Sequence, residues 1–234
     1  MEATGTTISA VVHYACDVGS TRAGNFGWAR VVSNGGSIDA RGGASIDTLL
    51  DNINTDLRSK KFALTIGMEC PMFLPVPGKS DDLGAGRAGE RDRSCFAPAG
   101  GYVATLGLHQ FAFLLRSIKR EGVSASLDWK TWKPNPAVIL FWEAFVAGKA
   151  HCDADDRRGH VKDAATAAAA IEDVLAEVQA KGNPVRVPAG TRPLSLAGCA
   201  LLWAGWSDDL RLLTQEVLVV KPESSYSGSI SQVE

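Results

Sequence analysis

Strand-length apolar runs and helix-spaced apolar positions take turns along this chain. Residues 8–16 are dense in Val, Ile and Tyr and predict a buried strand. A turn-rich stretch at 24–27 leads into a second strand over 28–32. Asn34-Gly35-Gly36 is a hairpin signal, with a third strand over 37–41. Leu49, Leu50, Ile53 and Leu57 then recur at helical spacing over 47–57, with Asp47 placed to cap the helix. Residues 62–68 form a short apolar run closed by Glu69-Cys70-Pro71, which suits a buried parallel strand reached by a crossover.

From 71 to 101 the chain is rich in Pro, Gly and charge. It is longer than an ordinary connection, and such loops are usually functional or disordered. Helical spacing returns over 102–120 through Leu106, Phe111, Leu114, Leu115 and Ile118, and Gly122 stops it. Residues 137–142 predict another buried strand, with Glu143 just past its end. After a charged run at 151–162, an Ala-rich helix spans 163–181 and ends at Gly182-Asn183-Pro184. An apolar helix over 194–206 and a last strand over 216–220 follow, and the Ser-rich tail from 223 is expected to fray. The pattern predicts one α/β domain over 1–222, a mixed sheet with helices on both faces, and a loop inserted near 71–101. Residues 223–234 are expected to form a flexible tail.

Composition narrows the classes. A chain of 234 residues, 45% hydrophobic and 21% charged, has the make-up of a globular domain with a real core. A formal net charge of −2 does not attract polyanions as a whole, so any nucleic-acid contact must rest on a local basic patch. Five cysteines with no C-x-x-C spacing argue against a zinc knuckle or a disulfide framework. Cys16 and Cys70 lie inside apolar runs, where a thiol acts as a small buried hydrophobe. The start, Met1-Glu2-Ala3-Thr4-Gly5, lacks a basic stretch followed by an apolar one, and no apolar run reaches membrane-spanning length. The expectation is a cytoplasmic protein with no membrane partner.

The chemistry concentrates on acids. Asp17 and Glu69 each end a strongly apolar strand. On neighbouring strands, their carboxylates would converge on one edge of the sheet, where like charges repel and a divalent cation relieves the repulsion. Oxygen donors of this kind suit Mg²⁺ or Mn²⁺. Such ions polarise a phosphodiester and activate water for in-line attack.

The run Asp17-Val18-Gly19-Ser20, followed by Gly27-Trp28-Ala29, resembles the first hairpin of ribonuclease H-like proteins, Holliday-junction resolvases among them. The wider layout is similar to a bacterial family of predicted ribonuclease H-like nucleases. The resemblance implies that Asp17 is a metal ligand and that 62–71 supplies a strand ending in an acid and Pro, with Glu69 in the site. It further implies an Arg-rich loop at 86–93, whose Arg87, Arg91 and Arg93 would meet nucleic acid. A strand with an acid near its end corresponds to 138–143, making Glu143 a third ligand or water-orienting base. The closing helix 194–206 carries no Asp or Glu where that family often has one, so Asp163 on the Ala-rich helix is the substitute ligand. The implied activity is metal-dependent hydrolysis of nucleic-acid phosphodiesters with Mg²⁺ or Mn²⁺. The alternative is a catalytically silent ribonuclease H-like binding or assembly module.

Blander roles stand beside these. Arg87, Arg91 and Arg93 alternate with Glu90 and Asp92, as in a solvated salt-bridged loop. His151 and His160 flank Asp153, Asp155 and Asp156, a metal-like grouping that a charged solvated loop also explains. His109 fits helix packing. Trp129 and Trp132, interleaved with Lys130 and Lys133, suit base stacking or, more simply, packing at a sheet edge. Asp-Val-Gly-Ser-Thr at 17–21 also resembles the first phosphate loop of the sugar-kinase and actin superfamily, but no second glycine-rich phosphate loop accompanies it.

Overall fold

A computed structural model describes residues 9–34, 37–90, 94–146 and 157–233. Three strands open the chain as an antiparallel meander: β1 (Ala10–Asp17), β2 (Gly27–Asn34) and β3 (Ser37–Gly43). Asn34 pairs with Ser37, as a hairpin at Gly35-Gly36 requires, although those two glycines lie outside the described residues. Helix α1 (Ile46–Ser59) then crosses over to β4 (Phe62–Met68), which runs parallel to β1. The cap of α1 is Ser45, which accepts from Thr48 N, rather than Asp47; Asp47 sits in the first turn, where its charge suits the helix dipole.

The stretch expected as a loop after β4 holds structure of its own. Strand β5 (Phe73–Pro77) pairs antiparallel with β8 (Thr191–Ser195), and Ala88 bridges Arg186. Helix α2 (Pro98–Ser117) and the short strand β6 (Ser124–Ser126) lead to β7 (Val138–Ala144), parallel to β4. Glu143 therefore lies within β7, not beyond it. Helix α3 (Arg157–Lys181) follows, then β8. The helix expected over 194–206 is the shorter α4 (Leu196–Trp203), because 191–195 is claimed by pairing with β5. Strand β9 (Val219–Val220) lies beside the end of β7, and β10 (Ser231–Gln232) lies parallel to β3. The tail thus extends the sheet edge instead of fraying there, with Val233 N bonded to Gly42 O.

The result is an α/β architecture: a mixed sheet of order β10-β3-β2-β1-β4-β7-β6, with four α-helices among the described residues. Alternation along the strands builds a core on each face. Val12, Tyr14 and Cys16 of β1 join Leu64, Ile66 and Met68 of β4 under α1, α2 and α4. Ala15, Ala29, Leu140 and Trp142 meet Ala164, Ala165, Ala167 and Ala168 of α3 on the other face.

Small residues let α3 lie close to the sheet. A Cβ on Gly27 would stand 2.4 Å from the His160 carbonyl carbon, and one on Gly42 would stand 2.6 Å from Val161 Cγ1. Beneath α3, Trp142 Nε1 donates to Thr65 Oγ1, and Thr65 Oγ1 lies 3.0 Å from His13 Nδ1. His13 Nε2 lies 3.1 Å from Glu172 Oε1, so this thread of polar groups reaches from the buried sheet to the helix surface. Trp129 and Trp132 pack into the same core, in keeping with the packing role. On the opposite face Arg30 and Tyr14 both donate to Asp56, pinning α1 to β1 and β2. No helix among the described residues is long and apolar enough to cross a membrane.

Candidate functional site

Parallel strands deliver their C-terminal ends to one edge of the sheet, and three of the expected residues arrive there. Cys16 pairs with Met68, and Met68 pairs with Glu143. Glu69 N donates to Cys16 O at 2.8 Å, which carries the β1–β4 ladder one residue past the end of β4. Asp17, Glu69 and Glu143 consequently line a single cleft of about 300 Å³. Glu90, Ser94 and Cys95 form another part of its wall, and the first turn of α2 closes it. Helix α2 sits against this edge because Gly107 has no side chain; a Cβ there would lie 2.4 Å from Cys70 Sγ. The turn after β1 is equally tight, since a Cβ on Gly19 would stand 1.7 Å from Asn25 O. Gln110 Nε2 donates to Gly19 O and ties that turn to α2.

The acids differ sharply in what surrounds them. Asp17 is mostly buried, and His160 Nδ1, in the first turns of α3, stands 2.5 Å from its Oδ2. An ionised carboxylate only accepts, so the ring N–H donates. Side-chain alternation sends Asp17 toward the α3 face, with His13 and Ala15. Glu143, in register with Met68, points to the opposite face.

There Glu143 is 1% exposed, and both of its oxygens accept hydrogen bonds. Arg87 donates from both terminal nitrogens to its two oxygens at 2.6 Å, and Met72 N donates to Oε2 at 2.9 Å. Arg87 also donates through Nε to Glu90 Oε1 at 2.8 Å, and its backbone N to Glu90 Oε2 at 2.7 Å. The guanidinium lies over the Phe73 ring, 4.5 Å from the centroid. Burial works to lower the Arg87 pKa, but the Glu143 carboxylate, helped by Glu90, raises it above the ordinary arginine value. Arg87, expected on a solvated or nucleic-acid-facing loop, is buried, and its charge is paired with two buried carboxylates. Glu143, expected as a ligand or base, is held in a buried ion pair with Arg87.

Arg91 and Arg93 lie outside the described residues, as do His151, Asp153, Asp155 and Asp156. Asp163 is half-buried on α3, three positions beyond His160, and does not line the cleft. Helix α4, without an acid, packs with α2 and Phe141 on the face away from α3. His109 is exposed on α2. Among the described residues no group of three or more His, Cys, Asp or Glu side chains is arranged to hold a metal ion.

Burial disfavours the thiolate form of both cleft cysteines. Burial pushes Cys70 well above the ordinary thiol value, with Glu143 adding to the rise, and burial with Glu90 pushes Cys95 up to about 11. Sequence reasoning missed two features of this site. The His160 contact joins residues 143 positions apart. Glu90 joins Arg87 at i+3, a spacing that was visible but also fits a surface pair. No protein-family model, curated protein or solved structure matches this chain.

Proposed function

We propose that the protein is a divalent-metal-dependent nuclease on a ribonuclease H-like fold, hydrolysing nucleic-acid phosphodiesters with Asp17 and Glu69 as its ion-binding carboxylates. The observation that carries this reading is the arrival of both acids at the ends of neighbouring parallel strands, on one cleft. The meander that leads into β4, with an acid and Pro after it, agrees with the layout the resemblance implies.

The donor set fits Mg²⁺ or Mn²⁺. Both are hard cations, and Mg²⁺ is commonly held by one or two carboxylates, with water and substrate phosphate completing the shell. Asp17 and Glu69, where they line the cleft, would repel a phosphodiester unless a cation stood between. When bound, the ion would polarise the phosphoryl oxygen and lower the pKa of a coordinated water. Asp17 would present one oxygen to the ion while His160 steadies the other. Glu69 would hold the ion from the β4 side.

The test is cleavage of single- and double-stranded DNA, RNA and their hybrid, with Mg²⁺, Mn²⁺ or chelator. Metal-dependent cleavage that disappears in Asp17→Asn supports the reading; cleavage undiminished in that variant overturns it. A silent binding or assembly module is the second reading. It is favoured by Glu143, whose oxygens are committed to Arg87 and Met72, and by the acid-free α4. Under that reading calorimetry finds no saturable Mn²⁺ binding.

A further inference from the structure

A cleft edged by four carboxylates invites the expectation of two metal ions. The geometry around Glu143 argues for fewer. Its two oxygens each receive a terminal nitrogen of Arg87 at 2.6 Å, a bidentate pairing whose planarity a spherical ion does not share. Oε2 accepts a further bond from Met72 N, and Arg87 Nε donates to Glu90 Oε1. Glu90 Oε2 also accepts from the Arg87 and Cys95 backbone. Phe73 backs the guanidinium, and the Arg87 side chain is 0% exposed. An arginine cannot give up its proton under working conditions, so this positive charge is permanent.

We infer that Arg87 is the site's resident cation, occupying the place at Glu143 and Glu90 that a second divalent ion would fill, so that the cleft binds one ion, at Asp17 and Glu69. A hydrated ion at Glu143 would have to compete with a guanidinium that holds two buried carboxylates together. Arg87, Glu143 and Glu90 then form a structural ion-pair group in the cleft wall, outside the set of residues that would hold the ion. This inference rests on the metal-binding reading given above.

The test counts Mn²⁺ per full-length chain by equilibrium dialysis, with free Mn²⁺ read by electron paramagnetic resonance. One bound ion is expected, lost in Asp17→Asn and Glu69→Gln. In Glu143→Gln its affinity should hold within about threefold, as for a group that does not touch the ion. Two ions per wild-type chain overturn the inference, and that count does not depend on any variant folding. Loss of the single ion in folded Glu143→Gln also overturns it while leaving the metal-binding reading standing. No saturable Mn²⁺ in the wild-type protein overturns both.

Discussion

His160 Nδ1 stands 2.5 Å from Asp17 Oδ2, joining the tip of β1 to the start of α3. The bond orients the carboxylate that the cleft presents, and it makes the docking of α3 part of the site. Partners of this kind behind a ligating group typically contribute 10- to 100-fold in metal affinity. Under the proposed reading of Asp17 as an ion-binding carboxylate, His160→Ala is expected to weaken Mn²⁺ binding by about 10- to 100-fold, with little change in melting temperature. Calorimetric titration checks this; an unchanged dissociation constant would count against it.

The same contact can be disturbed from behind. Gly27→Ala places a methyl 2.4 Å from the His160 carbonyl carbon and 2.6 Å from Val161 N. Backbone cannot rotate away as a side chain can, so α3 must shift off β2. Overpacking of this kind costs about 1–3 kcal/mol. Urea denaturation should show that loss, and under the proposed reading Mn²⁺ affinity should fall together with stability. In His160→Ala only affinity falls.

Arg87→Met should be among the most damaging single changes in the chain. It leaves Glu143 and Glu90 buried without their cation, and removing one partner from a buried ion pair costs about 3–5 kcal/mol. The double variant Arg87→Met/Glu143→Leu removes one of the stranded charges and should recover part of the loss. Denaturant midpoints of the two variants decide the matter; equal midpoints would contradict the pairing.

Thiol chemistry reports on the cleft wall. Cys95 is raised by burial and by Glu90 from the ordinary value of 9.0 to about 11. A folded-state value above the unfolded one means that the native chain keeps a proton which the unfolded chain has lost. Between pH 9 and pH 11 the unfolded state therefore gains relative to the native one. The associated stability is fully present below about pH 9 and declines as pH rises toward 11. Denaturation curves across that window should fall, and Cys95→Ser should flatten part of the slope. At neutral pH a thiol reagent should modify buried Cys16, Cys70 and Cys95 much more slowly in the native protein than after unfolding.

By itself the sequence determined where strands and helices lie wherever the signal was local, though not the limits of the helices. Phe62–Met68 is the clearest case: the apolar run, its charged start at Lys61 and its Cys70-Pro71 end mark the strand as the structure has it. The Ala-rich stretch was legible as a helix, and Asp17 and Glu69 as strand-end acids, for the same reason. Tertiary structure alone decided what each charge meets. The segment expected as helix over 194–206 begins inside strand β8 because β5 lies beside it, and no local pattern announces a partner more than a hundred residues away. Glu143 stands in line with Met68 of the neighbouring strand, so strand alternation turns it away from the α3 side. The Arg87 guanidinium waits there on a segment that looked solvated. A carboxylate's role as ligand or as counter-charge depends on which donors lie within about 3 Å, a distance that only the packed chain defines.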